Sequence, residues 1–224
     1  MNQNDIEVRI TADGSTTLYR KDIDETYHSH NGALQEARHV FIQEGLCKKL
    51  DLTEIKILEV GLGTGLNALL TYLFTLDNGL TIEYHGLEAF PLDTEILNQV
   101  NYNQIIPDSR TTEAFKLLHS HAWNEKFQWA PNFEMLKIHN ALQTFECKKE
   151  CYDLIYFDAF GPRAQEEMWD FSNLEKLHQG LKPKGILVTY CAKGSFKRNL
   201  KALGFELENV PGPPGKREMT RAIK

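Results

Sequence analysis

The segment Ile57-Leu58-Glu59-Val60-Gly61-Leu62-Gly63-Thr64-Gly65-Leu66-Asn67 constrains this chain most. It joins a short apolar run at residues 55–60 to a helical spacing over 66–76. Glycines at such a strand-to-helix junction let the backbone approach a ligand closely and adopt positive φ. A dinucleotide fingerprint needs Gly-x-Gly-x-x-Gly, but Leu66 takes the last place after Gly61 and Gly63. A phosphate loop needs a Lys-Ser/Thr pair, which is missing. Glu59, just ahead of the glycines, favours a cation and repels a pyrophosphate.

Downstream, strands at 55–60, 81–87, 133–138, 152–157 and 185–190 alternate with helices at 66–76, 94–102, 112–122, 174–180 and 195–203. This alternation predicts an α/β fold with a doubly wound, mostly parallel sheet. Strands at 205–210 and 216–223, around Pro211-Gly212-Pro213-Pro214-Gly215, predict an antiparallel C-terminal strand pair at or near one edge. Residues 6–19 read as a hairpin about Asp13-Gly14, a dipeptide suited to a tight primed turn. Leu34, Ala37, Val40 and Phe41 give residues 33–44 one apolar helical face. The expected division is a small N-terminal hairpin-plus-helix extension, 1–50, and one domain, 51–224.

Composition narrows the function classes. A 42% hydrophobic content excludes disorder as the main state. The net charge of −6 argues against a globally basic nucleic-acid binder. The charge is uneven, however: residues 182–224 carry +7 and residues 1–181 carry −13, which leaves room for a local phosphate-binding face. No apolar run approaches the ~18 residues of a membrane span, and no signal-peptide core follows Met1, so the expectation is a cytoplasmic protein with no membrane partner. Cys147 and Cys151 lack a second pair, and the His-Ser-His triplets at 28–30 and 119–121 lack ligand spacing, so no metal is expected. His119 and His121 read as surface residues.

Acid-x-Gly-x-Gly-x-Gly resembles the first motif of class I S-adenosylmethionine-dependent methyltransferases. The resemblance implies a Rossmann-like fold and S-adenosyl-L-methionine as cofactor. Glu59, Gly61, Gly63, Gly65 and Asn67 then hold its methionine end, Glu59 through the amino group. Glu88, which ends the second strand, can accept both ribose hydroxyls. Asn140, after the third strand, occupies the place of an adenine-amino contact. Asp158 ends the fourth strand beside Phe157 and Phe160, where ligands of doubly wound sheets bind, so it faces cofactor and acceptor alike.

Further motifs narrow this. Tyr27-His28-Ser29 with Gly32-Ala33-Leu34-Gln35-Glu36, Glu88-Ala89-Phe90-Pro91, Phe157-Asp158-Ala159-Phe160, Met168-Trp169, Thr189-Tyr190-Cys191-Ala192-Lys193-Gly194 and Gly215-Lys216-Arg217-Glu218-Met219 resemble the tRNA 5-methylaminomethyl-2-thiouridine methyltransferase family. More narrowly, residues 27–219 resemble the methyltransferase half of the bifunctional wobble-uridine enzyme. The resemblance implies N-methylation of the aminomethyl group of 5-aminomethyl(-2-thio)uridine in a tRNA partner. Asp158 is then catalytic. Tyr27, Phe160 and Lys193 lie on the substrate side, with Lys197, Arg198, Lys216 and Arg217 from the basic segment. At 224 residues there is no room for the flavin-dependent oxidase, so no flavin is expected and the amine is made elsewhere. An ordinary Asp (pKa ~3.9) is a poor base for an alkylamine (~10.4), so Asp158 is expected to accept an N–H hydrogen bond and aim the lone pair. A spermidine-synthase-like aminopropyltransferase, or another small-molecule amine methyltransferase, is the alternative.

Overall fold

The computed structural model describes residues 3–224. An N-terminal three-stranded antiparallel sheet comprises β1 (Ile6–Ile10), β2 (Thr16–Arg20) and β3 (Glu25–Thr26). It leads into α1 (Ala33–Ala37), which runs on as a π-helical segment, Arg38–Gln43. Then follow β4 (Glu54–Val60), α2 (Leu66–Asn78), β5 (Thr81–Glu88), the short helices α3 (Thr94–Leu97) and α4 (Tyr102–Ile105), and α5 (Thr111–Ser120). The rest is β6 (Lys126–Ala130), β7 (Phe133–His139), β8 (Tyr152–Phe157), α6 (Phe171–Gly180), β9 (Leu181–Thr189), α7 (Gly194–Ala202), β10 (Glu206–Pro211) and β11 (Glu218–Ile223).

β4 to β11 form one eight-stranded sheet, ordered β10-β11-β9-β8-β4-β5-β7-β6. The five strands from β9 to β7 run parallel, and β6, β10 and β11 are antiparallel to their neighbours. The expected doubly wound sheet with its antiparallel C-terminal pair is thus formed. All six residues of β8 are buried, because helices cover both faces of a parallel sheet. Strand alternation divides them: Leu154 and Tyr156 join the core under α2 and α5, while Ile155 and Phe157 join the core with Trp169, Leu174 and Phe196. Asp153 is the exception in this apolar run. It binds Lys182 Nζ at 2.8 Å and accepts the Lys56 backbone N–H at 2.9 Å.

Four local expectations are revised. The helix at 94–102 is two short helices, because Asn101 between them binds the Thr16 backbone N–H through Oδ1 at 2.9 Å. β6 was not anticipated; it is a short edge strand of alternating burial. The Asp13-Gly14 turn is a wider loop closed by Thr11 N–H to Ser15 O at 2.8 Å, and Asp13 accepts the Gln35 N–H at 2.9 Å, capping α1. His119 is half-buried and bonds Thr64 O at 3.2 Å, so burial pushes its pKa down to about 4; His121 stacks on Phe127.

β4 has β5 on one side and β8 on the other, so the winding reverses between β4 and β8. That reversal opens a crevice beyond the carboxyl ends of the strands. The N-terminal segment reaches the crevice through Arg20 at the end of β2 and Tyr27 just after β3.

Candidate active site

The crevice encloses about 890 Å³, open mouth included. Gly61 and Gly63 line it after β4, Glu88 and Phe90 at the end of β5, and Asn140 and Leu142 after β7. Asp158 and Phe160 follow β8, Glu167 and Met168 close one side, and Arg20 and Tyr27 come from the N-terminal segment. The N–H groups of Gly61 and Leu62 both donate to Leu87 O, at 2.9 and 3.1 Å, which fixes the glycine turn to the end of β5. Gly61 has φ +93°, and a Cβ there would lie 2.5 Å from the Asp158 carbonyl oxygen. The two loops that frame the cleft therefore touch through backbone.

The Glu88 carboxylate is held by two backbone donors, Gly63 N–H at 2.9 Å and Phe90 N–H at 2.8 Å. Burial raises its pKa, and those donors oppose the rise. Each oxygen keeps a lone pair for a ligand hydroxyl. Asn140 Oδ1 is occupied by the Ala141 N–H at 2.8 Å and the Thr144 hydroxyl at 2.6 Å. Its remaining edge is the Nδ2 donor, which suits an adenine ring nitrogen rather than the adenine amino group expected from sequence.

Asp158 is partly exposed to the cleft, and Asn67 Nδ2 donates to its Oδ2 at 2.8 Å. Burial, and next the Glu36 charge, push its pKa up to about 7, against the Asn67 hydrogen bond and the Lys216 cation. Glu36→Gln is expected to move the acid limb of kcat/KM to lower pH, and Lys216→Met to higher pH; pH–rate profiles of both variants check this pair of signs. Tyr27 packs edge-on against Phe160, with ring centroids 4.9 Å apart, and its ring covers Gly63.

The fold brings together Tyr27, Gly61, Gly63, Glu88, Asn140, Asp158 and Phe160 from the sequence-derived set. Glu59 does not reach the cleft. Strand alternation turns it onto the α2 face, where it is 0% exposed, accepts from Tyr84 Oη and Asn67 Nδ2 at 2.8 Å each, and has its pKa raised well above the carboxylate range by burial. Asn67 bridges the two acids from behind the cleft, and Gly65 is the left-handed residue preceding α2.

The basic segment is also partly spent. Lys216 pairs with Glu36 at 2.6 Å and lies 3.9 Å from the Tyr190 ring centre. Lys197 pairs with Glu218 at 2.8 Å, and Arg221 pairs with Glu208 and Glu44. Lys193, Arg198 and Arg217 are exposed with no ion-pair partner among the described residues, and lie outside the cleft lining. Arg20 and Glu167 were missed by sequence reasoning. Nothing local marks Arg20, which reads as an ordinary hairpin residue.

These residues fit S-adenosyl-L-methionine. Glu88 suits a diol, Asp158 suits a nearby cation, Leu87, Leu142 and Phe90 give adenine an apolar slot, and the Gly61–Gly63 backbone leaves room that side chains would fill. Residues 116–224 match the model of a family described as S-adenosyl-L-methionine-dependent methyltransferase. The tRNA 5-methylaminomethyl-2-thiouridine biosynthesis bifunctional protein MnmC of Leptospira interrogans is 30% identical over 94% of this chain and 34% of its own length. The protein of the same name from Cupriavidus metallidurans is 28% identical over 92% of this chain and 32% of its own. The chain thus spans about a third of the curated relatives it matches. The crystal structure of MnmC2 from Aquifex aeolicus superposes with a TM-score of 0.79 at 27% identity, covering 97% of this chain and 69% of that one. Over residues 116–224 the chain is thus similar to the S-adenosyl-L-methionine-dependent methyltransferases, and over nearly its whole length it is similar to the methyltransferase-bearing part of the MnmC proteins.

Proposed function

We propose that this protein methylates the primary amine of 5-aminomethyl(-2-thio)uridine at the wobble position of a cytoplasmic tRNA. One observation carries the reading: Asp158, with a pKa of about 7, faces the cleft beside Phe160 and Tyr27, in a chain similar to MnmC over nearly its whole length. The cofactor, when bound, supplies an electrophilic methyl on its sulfonium. Glu88 would hold the ribose, Asn140 Nδ2 the adenine, and the Gly61–Gly63 backbone the methionine end. Methyl transfer is an in-line displacement, so the protein mainly orients the amine. Asp158 would accept an amine N–H, aim the nitrogen lone pair and stabilise the charge that grows there. Phe160 and Tyr27 would flank the base and exclude water.

The test is nucleoside analysis of aminomethyl-bearing tRNA after incubation with the protein and methyl-labelled cofactor. Label in 5-methylaminomethyl(-2-thio)uridine supports the reading; label only in a small amine, or aminopropyl transfer to putrescine, sinks it. Lys193, Arg198 and Arg217 are the cations free to meet phosphate, because α7 starts, and the β10–β11 loop turns, at the carboxyl edge of the sheet. Neutralising all three is expected to lower the salt slope of tRNA affinity by about 2 while sparing cofactor binding. Neutralising Lys197 and Lys216, whose charges are already paired, should change that slope less.

A further inference from the structure

We infer that Arg20 is an oxyanion-binding residue of the cleft, presented by the N-terminal sheet rather than by the methyltransferase strands. Its side chain is only 8% exposed, although it stands at the end of a five-residue hairpin strand. Asp22 takes one edge of the guanidinium, with Nε donating to Oδ1 at 3.0 Å and Nη2 donating to Oδ2. The Arg20 hydrogen bonds, and then its charge, hold the Asp22 carboxyl below its usual range. No hydrogen bond within the described residues engages Nη1. The guanidinium carbon lies 5.6 Å from the centre of the Phe160 ring, the aromatic wall next to Asp158.

The charge balance of the cleft explains what such a group is for. Among the described residues, Arg20 is the only one lining the cleft with a cationic side chain, against Glu88, Asp158 and Glu167. Those acids suit the sulfonium and ammonium of the cofactor and a protonated acceptor amine. None of them can hold an oxyanion as a carboxylate, whereas Asp22 takes only one edge of the guanidinium and leaves Nη1 available to donate. The planar fork, fixed on one side by Asp22, is preorganised to meet an oxyanion on the other. Two ligands bring one: the cofactor, through its carboxylate, and a nucleotide, through its phosphate. The first needs no acceptor at all, so it stands apart from the tRNA reading; the second rests on that reading.

The experiment compares Arg20→Ala with wild type in two arms. In the first, calorimetry measures S-adenosylhomocysteine against its decarboxylated analogue, which keeps the ammonium and lacks only the carboxylate. If the carboxylate is the ligand, wild type prefers the complete compound by about tenfold or more, and Arg20→Ala loses that preference. In the second, KM for aminomethyl-bearing tRNA is measured at saturating cofactor. If the phosphate is the ligand, the first preference survives in Arg20→Ala and KM for tRNA rises about tenfold with kcat unchanged. An Arg20→Ala protein that keeps both the carboxylate preference and the wild-type KM overturns the assignment. Within each protein the affinity ratio is insensitive to the fraction folded. If Arg20→Ala does not fold, Arg20→Lys, which keeps the charge and loses the fork, is expected to give the same pattern at smaller size. Failure of methyl transfer to any tRNA leaves the first arm intact, so the two readings fail separately.

Discussion

Replacing Asp158 by Asn is expected to remove on the order of 10²–10³ in kcat while leaving S-adenosylhomocysteine affinity within about twofold. The variant keeps the shape of the side chain and an oxygen for the Asn67 donor, so the loop after β8 should stay in place. What disappears is the negative charge that would face the amine as it becomes positive. The pH profile separates this from a packing defect. Burial and the Glu36 charge hold Asp158 at about 7 in the free protein, so below that pH it carries a proton and loses the negative charge that would stabilise the amine as it becomes positive. The amine must itself lose a proton, near ~10.4 for an unperturbed alkylamine. In wild type, log kcat/KM should therefore climb with a slope of about 2 below pH 7 and about 1 above it. Asp158→Asn should show the slope of about 1 throughout. A wild-type profile with no change of slope near 7 would count against Asp158 as the acceptor. The raised pKa also revises the sequence-based comparison: the gap to the amine shrinks from about 6.5 units to about 3.4, which makes Asp158 a better proton acceptor than an ordinary aspartate.

Gly61→Ala should be the most damaging small substitution in the cleft. The residue has φ +93°, which L side chains rarely adopt, and the added Cβ would sit 2.5 Å from the Asp158 backbone oxygen. Both partners are backbone, and both are tied: Gly61 N–H to Leu87 O at 2.9 Å and Asp158 N–H to Val60 O at 2.9 Å. No rotamer change relieves the clash, so the ends of β4 and β8 must part. A loss of about 3 kcal/mol or more is expected from the strained backbone and the separation together. Urea denaturation measures the stability, and calorimetry should find S-adenosylhomocysteine binding abolished. A variant that unfolds at the wild-type midpoint and still binds would show that the loops have slack.

Glu88 and Asp158 were legible as site residues because each ends a buried strand, and the ends of parallel strands are where a doubly wound fold gathers its ligand groups. Glu59 was legible as part of a motif but not in its place. It lies two residues from Gly61 on a strand, and alternation turns its side chain under α2, where Tyr84 and Asn67 satisfy it. The tail charges mislead for a related reason. A count of cations sees Lys216, but not that Glu36, 180 positions earlier, neutralises it.

By itself, the sequence determined the alternating order of strands and helices, the glycine turn and the acids at the strand ends, because these rest on local periodicity and on backbone freedom at single residues. Only the tertiary structure decided which of those groups share a cleft, that the Asp158 carboxyl titrates near neutrality, and that a hairpin arginine from another sheet lines the same cleft. Those outcomes depend on burial and on charges brought together across the chain, and neither can be read from spacing.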